Sequence, residues 1–189
     1  LTNGNVTVGR EDGFAAGEGA TYNVTGTQTN AGTSDNTFTY TLNGNTKAEN
    51  YEIRKELGKL TVNPVTDEVI VKIKGNEKTE TYDGTEKTVN GYKVTSISNP
   101  LYAEGNISFT GKAEAKGTNA GSYPMGLKET DFANINTNFT NVKFAVTDGE
   151  LTISKRTVTL TSADGEKVYD GKPLTNGTVT VGGDGFVGN

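Results

Sequence analysis

Apolar and polar residues alternate with a period of two along most of the chain. Val69, Val71 and Ile73 interleave with Ile70, Lys72 and Lys74, and Tyr123, Met125 and Leu127 interleave with Pro124 and Gly126. The same alternation appears at Ile107 and Phe109, at Val142, Phe144 and Val146, at Leu151 and Ile153, and at Phe38, Tyr40 and Leu42. Because successive side chains of a strand point to opposite faces, this spacing predicts short, half-buried strands. Asn-Gly, Asp-Gly and Lys-Gly steps fall between the runs and supply the positive backbone angles that tight hairpins require. The only helical reading that survives is a short turn near 129–134, where Thr130 or Asp131 would cap.

The pattern repeats. Leu1 to Gly9 reads Leu-Thr-Asn-Gly-Asn-Val-Thr-Val-Gly, followed by Asp12-Gly13-Phe14, and it returns at Leu174 to Gly182, followed by Asp184-Gly185-Phe186. Asn3-Gly4, Asn90-Gly91 and Asn176-Gly177 divide that shift in two, so the unit is about 87 residues long. Tyr82-Asp83-Gly84 recurs as Tyr169-Asp170-Gly171, and Thr29-Asn30-Ala31-Gly32 recurs as Thr118-Asn119-Ala120-Gly121. The stretch from Asn50 to Val62 matches Asn141 to Ile153 without a gap. The order of these landmarks divides the chain into the last two-thirds of one repeat (1–63), a complete repeat (65–155) and the opening third of another (156–189). Short joints at Asn63-Pro64-Val65 and Ser154-Lys155-Arg156 separate them. The segment from Lys47 to Leu57 carries helix-forming residues, but its partner at Asn141 to Asp148 alternates, so the repeat predicts strand for both.

Six to eight short strands per repeat, with turn signals every 8 to 12 residues, predict an all-β chain of tandem immunoglobulin-like β-sandwich repeats. A β-grasp-like sheet is the alternative, and it requires a helix lying across the sheet.

Composition narrows the chemistry. The 189 residues carry 18 basic and 23 acidic side chains, no His, no Cys and no Trp, and only 32% of them are hydrophobic. Without imidazole or thiol there is no zinc cluster, histidine base or cysteine nucleophile, which points away from an enzyme and toward no cofactor and no metal. The absence of any Lys or Arg run excludes a nucleic-acid footprint. No stretch approaches the roughly 20 apolar residues of a membrane helix. Gly, Thr and Asn make up about two-fifths of the chain, a composition suited to turns and β-branched strands.

Three runs carry a family resemblance: Val-Tyr-Asp-Gly-Lys-Pro-Leu at 168–174, Gly-Thr-Asn-Ala-Gly-Ser-Tyr-Pro-Met-Gly-Leu at 117–127, and Asp-Gly-Glu-Leu-Thr-Ile at 148–153. They resemble the MBG and YDG-type tandem repeats of bacterial cell-surface adhesin-like proteins. In the middle repeat, Tyr82-Asp83-Gly84 is followed by Thr85-Glu86-Lys87 rather than Lys-Pro-Leu, which weakens any role for the proline. The resemblance implies β-rich, non-catalytic modules in secreted or wall-anchored proteins, with neighbouring repeats as partners. A stalk or spacer role is the leading expectation, and direct binding of host mucin or glycans is the alternative.

The candidate residues are weighed on that basis. Tyr82, Asp83 and Gly84, with Tyr169, Asp170 and Gly171, read as a folding motif: a buried ring ending a strand, a capping Asp, and a Gly in the left-handed angle. Tyr92, Tyr102 and Tyr123 are the possible glycan platforms, each beside a strand pattern that also suits a core position. The carboxylates, including Glu77, Glu80, Glu86 and Glu129, show no recurrent pair of the kind glycoside hydrolysis needs. Asp12-Gly13 and Asp184-Gly185 lack the further oxygens of a calcium loop. A Lys-Asn crosslink would pair Lys72 or Lys74 with Asn141. Glycosylation triplets at Asn5, Asn23, Asn106, Asn138 and Asn176 are expected by chance in so Asn- and Thr-rich a chain. Open strand edges in the two partial repeats also predict head-to-tail strand exchange between copies, with residues 156–189 completing the first repeat of a second molecule.

Overall fold

A computed structural model describes residues 1–9 and 13–188, and the chain falls into two compact units. The first comprises Leu1–Glu68 with Ile135–Val142, and the second comprises Val69–Asn134 with Lys143–Asn189. Both are built from short strands. The described helical pieces are three single 3-10 turns, Ala48–Asn50, Glu104–Asn106 and Glu129–Asp131. The protein is all-β, with several small sheets in a β-sandwich arrangement. The helix that a β-grasp sheet requires is absent from the described residues.

In the first unit, β1 (Ala20–Val24), β2 (Gly32–Asp35), β3 (Phe38–Leu42) and β4 (Lys59–Val62) form two antiparallel ribbons. Tyr22 lies opposite Tyr40 in the β1–β3 ribbon, and Gly32 lies opposite Val62 in the β2–β4 ribbon. The expected alternation holds: Ala20, Tyr22 and Val24 share a half-buried face with Phe38, Tyr40 and Leu42. Leu60 of β4 is buried. The strand expected from Lys47 to Leu57 does not form; the chain makes the 3-10 turn at Ala48–Asn50 and then runs without regular structure to β4. Strand pairing decides this. The matching sequence at Val142–Thr147 is a strand because it hydrogen-bonds to a neighbour, whereas among the described residues no strand of unit 1 pairs with 51–58.

The second unit contains β5 (Val69–Gly75), β6 (Glu77–Thr81), β7 (Lys87–Asn90), β8 (Tyr92–Ile97), β9 (Ile107–Phe109) and β10 (Glu114–Gly117). It continues with β11 (Gly121–Pro124), β12 (Phe132–Asn134), β13 (Val142–Thr147), β14 (Glu150–Ser154), β15 (Val158–Ser162) and β16 (Val179–Gly183). Two three-stranded sheets, β13-β5-β8 and β11-β14-β6, carry the core, and β7–β10, β9–β12 and β15–β16 pair as ribbons. Only Asn76 separates β5 from β6, and only Asp148-Gly149 separates β13 from β14, so each near-continuous strand serves both sheets. At that crossover the backbones touch: a Cβ on Gly75 would lie 2.3 Å from the Gly149 nitrogen. Beyond it β6 and β14 run parallel, with Glu77 opposite Glu150.

The alternation read from the sequence places Val69, Val71, Ile73 and Leu151 at 1% exposure or less. Burying each such side chain stabilises by roughly 1.5–3 kcal/mol. Val89, Ala115, Met125, Leu127, Leu151 and Ile153 pack as one cluster, edged by Tyr82, Tyr92, Phe109, Tyr123 and Val146. Met125 and Leu127 keep their inward alternation although β11 ends at Pro124.

Candidate functional site

The recurrent Tyr-Asp-Gly motif builds the same turn twice. Asp83 Oδ1 accepts the Thr85 amide at 2.9 Å and the Thr85 hydroxyl at 2.6 Å, while Oδ2 accepts the Lys87 ammonium. The Lys87 ammonium, and after it the Thr85 hydroxyl and amide, hold the Asp83 carboxyl well below the ordinary carboxylate range. Asp170 repeats the arrangement, accepting the Lys172 amide at 3.0 Å and the Lys167 ammonium, and its pKa is likewise lowered, chiefly by Lys167. Gly84 and Gly171 sit at φ +81° and +74°, where a side chain would be strained. Tyr82 is half-buried against the core cluster, but Tyr169 is 92% exposed. The turn therefore forms in both copies and the ring packs in one.

The three tyrosines weighed as platforms lie in the packing. The Tyr92 ring centroid is 4.9 Å from that of Phe109 and 5.0 Å from that of Phe132, an aromatic group to which Phe144 adds. Tyr102 is 3% exposed, and its hydroxyl reaches the Asn106 carbonyl and Asn134 Oδ1, each at 3.0 Å. Tyr123 is half-buried; its ring fills the space where a side chain on Gly117 would stand, and its hydroxyl donates to the Asn119 carbonyl at 2.8 Å.

Sequence reasoning passed over two features. Asp148 is a turn anchor: its carboxylate accepts the amides of Gly126, Leu127 and Gly149 at 2.8–2.9 Å, fixing the loop after β11 to the crossover. Its signal was the Asp-Gly step that opens the 148–153 run. The second is a groove of about 1060 Å³ in the first unit, whose lining includes Phe14, Tyr22, Phe38, Tyr40 and Tyr51. Tyr51 donates to Glu18, which raises its pKa.

The remaining chemistry is structural or solvated. Among the described residues, the carboxyls that leave their ordinary range, Glu80, Asp83, Glu114, Glu150 and Asp170, all move down, through lysine or hydroxyl and amide partners. A general acid for glycoside cleavage needs the opposite shift. Among the described residues no group of three or more acidic side chains gathers as a metal site. Asp184 accepts the Thr157 amide at 3.2 Å, and Asp12 lies outside the described residues. Of the proposed crosslink partners, Lys74 pairs with Glu77 at 3.1 Å, Lys72 is exposed, and the Asn141 amide donates to the Thr66 carbonyl at 3.4 Å. At the Asn138 triplet both side-chain amide atoms are engaged, by Ala31 and Asn30.

These residues define a class: an all-β module whose recurrent motifs shape turns and whose aromatics between residues 69 and 155 pack inward. Residues 69–155, all within the predicted complete repeat, match the family model of the MBG domain. That family comprises non-enzymatic repeat domains of the kind found in surface proteins. No curated protein and no solved structure matches the chain.

Proposed function

We propose that this chain is a non-catalytic stalk or spacer of a bacterial cell-surface, adhesin-like protein, one that is secreted and held at the cell wall through another part. The observation that carries the reading is how the MBG repeat uses its aromatic side chains. Tyr82, Tyr92, Tyr102 and Tyr123 support the core or a loop, so the repeat offers mechanical shape rather than a recognition face. The step from β14 to β15 is only Lys155-Arg156-Thr157, which suits successive modules joined without a flexible linker.

The test is binding of the full chain to a panel of mucins and host glycans, and the expected result is no saturable signal. The aromatic groove of the first unit favours a second reading, direct glycan binding, because ring faces beside polar rims suit sugars. Saturable binding that disappears in Tyr40→Ala, with the β1–β3 amide resonances kept, would establish that reading and overturn the first.

A further inference from the structure

The Thr-Asn-Ala-Gly loop, which recurs at 29–32 and 118–121, has no part in the function above. In the first unit it receives another piece of chain. Residues 135–142 run in sequence from the end of β12 to the first residue of β13, yet they belong to the unit formed by residues 1–68. Asn138 Oδ1 accepts the Ala31 amide at 2.5 Å, and Asn138 Nδ2 donates to Asn30 Oδ1 at 3.1 Å. Around it the backbone closes a short parallel bridge between Val65 and Phe139: the Val65 amide donates to the Asn138 carbonyl at 2.8 Å, and the Thr140 amide to the Val65 carbonyl at 3.0 Å. Phe139 is buried beside this bridge. The loop is also shaped in advance, since Asn136 Oδ1 accepts the Asn138 amide at 2.9 Å.

We propose that residues 136–141 are a latch by which one repeat grips the repeat before it, with the Thr-Asn-Ala-Gly loop and the residues following the repeat's last strand as the receptor. The receptor is a property of the repeat. Gly32 opposes Val62 at the start of the β2–β4 ribbon, and Gly121 opposes Ile153 at the start of β11–β14 in the same way. At that second end Asn119 and Ala120 are exposed and line an open hollow of about 370 Å³ with Lys155 and Arg156. Its occupant is the same Asn-rich loop of another copy of the repeat. The latch does not rest on the spacer reading, because it couples repeats whether or not the array adheres.

Site-resolved hydrogen exchange on the full chain tests it. In Asn138→Ala the Ala31 and Val65 amides are expected to exchange at least about tenfold faster, as the loss of one to two hydrogen bonds implies, with Val71 and Leu151 unchanged. In Asn138→Asp, which keeps the acceptor for Ala31 but loses the donor to Asn30, Ala31 is expected to retain part of its protection. Should Asn138→Ala lose its fold, Asn30→Ala gives the reading from the exposed receptor side, with faster exchange at Thr140. Wild-type exchange rates at Ala31 and Val65 in Asn138→Ala, or at Thr140 in Asn30→Ala, would overturn the proposal.

Discussion

Replacing Gly149 with Ala tests the crossover at which one pair of strands serves two sheets. The glycine has an ordinary backbone angle, so Ala adds no conformational strain, and only space is at issue. The added carbon would lie 2.5 Å from the Asn76 carbonyl oxygen, 2.6 Å from Met125 Sδ and 2.9 Å from the Gly75 carbonyl carbon. Met125 can swing aside, but the other two atoms are backbone. Reaching ordinary contact requires the two strands to part by about 1 Å. That movement breaks the bond from the Glu150 amide to the Asn76 carbonyl, already 3.2 Å long. A lost hydrogen bond costs about 1 kcal/mol and overpacking about 1–3 kcal/mol, so the expected loss is about 2–4 kcal/mol. Urea unfolding followed at the Leu151 amide should show a midpoint about 1–2 M lower, given slopes of roughly 1–3 kcal/mol per M. Gly105→Ala is the control: nothing lies within 4 Å of its new carbon, and a change below about 0.5 kcal/mol is expected. Equal midpoints for the two variants would refute the steric account.

The lowered carboxyls give stability its pH dependence. Asp83, Asp170, Glu80, Glu114 and Glu150 have folded-state pKa values below those of the unfolded chain. Their contribution is therefore complete above the ordinary carboxyl range near about 4 and is lost as pH falls through the folded values. Thermal scans from pH 7 to pH 2 should show a Tm that is level at first and then falls in acid, less steeply in Asp83→Asn; a Tm independent of pH would contradict this. A further prediction concerns strand edges: β4 pairs on one side with β2, whereas β14 carries both β11 and β6. Residues 164–169, offset by 87 from the β6 region, form no strand and leave Val168 and Tyr169 at 90% and 92% exposure. If this segment adds to β4 of a second copy, the sedimentation mass will rise with concentration; a concentration-independent monomer would rule the addition out.

The parts of this fold legible in the sequence are those set by local alternation. Val69, Val71 and Ile73, or Leu151 and Ile153, announce a buried face because the period of two is a property of the strand itself. The residues from Lys47 to Leu57 show the limit. Their match to Val142–Thr147 carried the right sequence relation but not the conformation, because a strand takes its hydrogen bonds from a neighbour that local pattern does not specify. The parallel β6–β14 pairing and the latch at Asn138 are of the same non-local kind. A hydrogen bond between Asn138 and Ala31, 107 positions apart, leaves no periodic trace.

The two Tyr-Asp-Gly copies separate these two kinds of information within one motif. Asp83 and Asp170 each bind the amide two residues ahead and a lysine within four, and each following glycine adopts the left-handed angle. All of that lies within a few residues, so the turn forms wherever the sequence occurs. The ring of Tyr82 is covered because Leu151, Ile153 and their neighbours complete a core beneath it, while Tyr169, beside a two-stranded ribbon with no such core, stays in solvent. A ring whose burial follows the strands around it fits a role in packing, with the turn as the fixed part and the core as the part each repeat must supply.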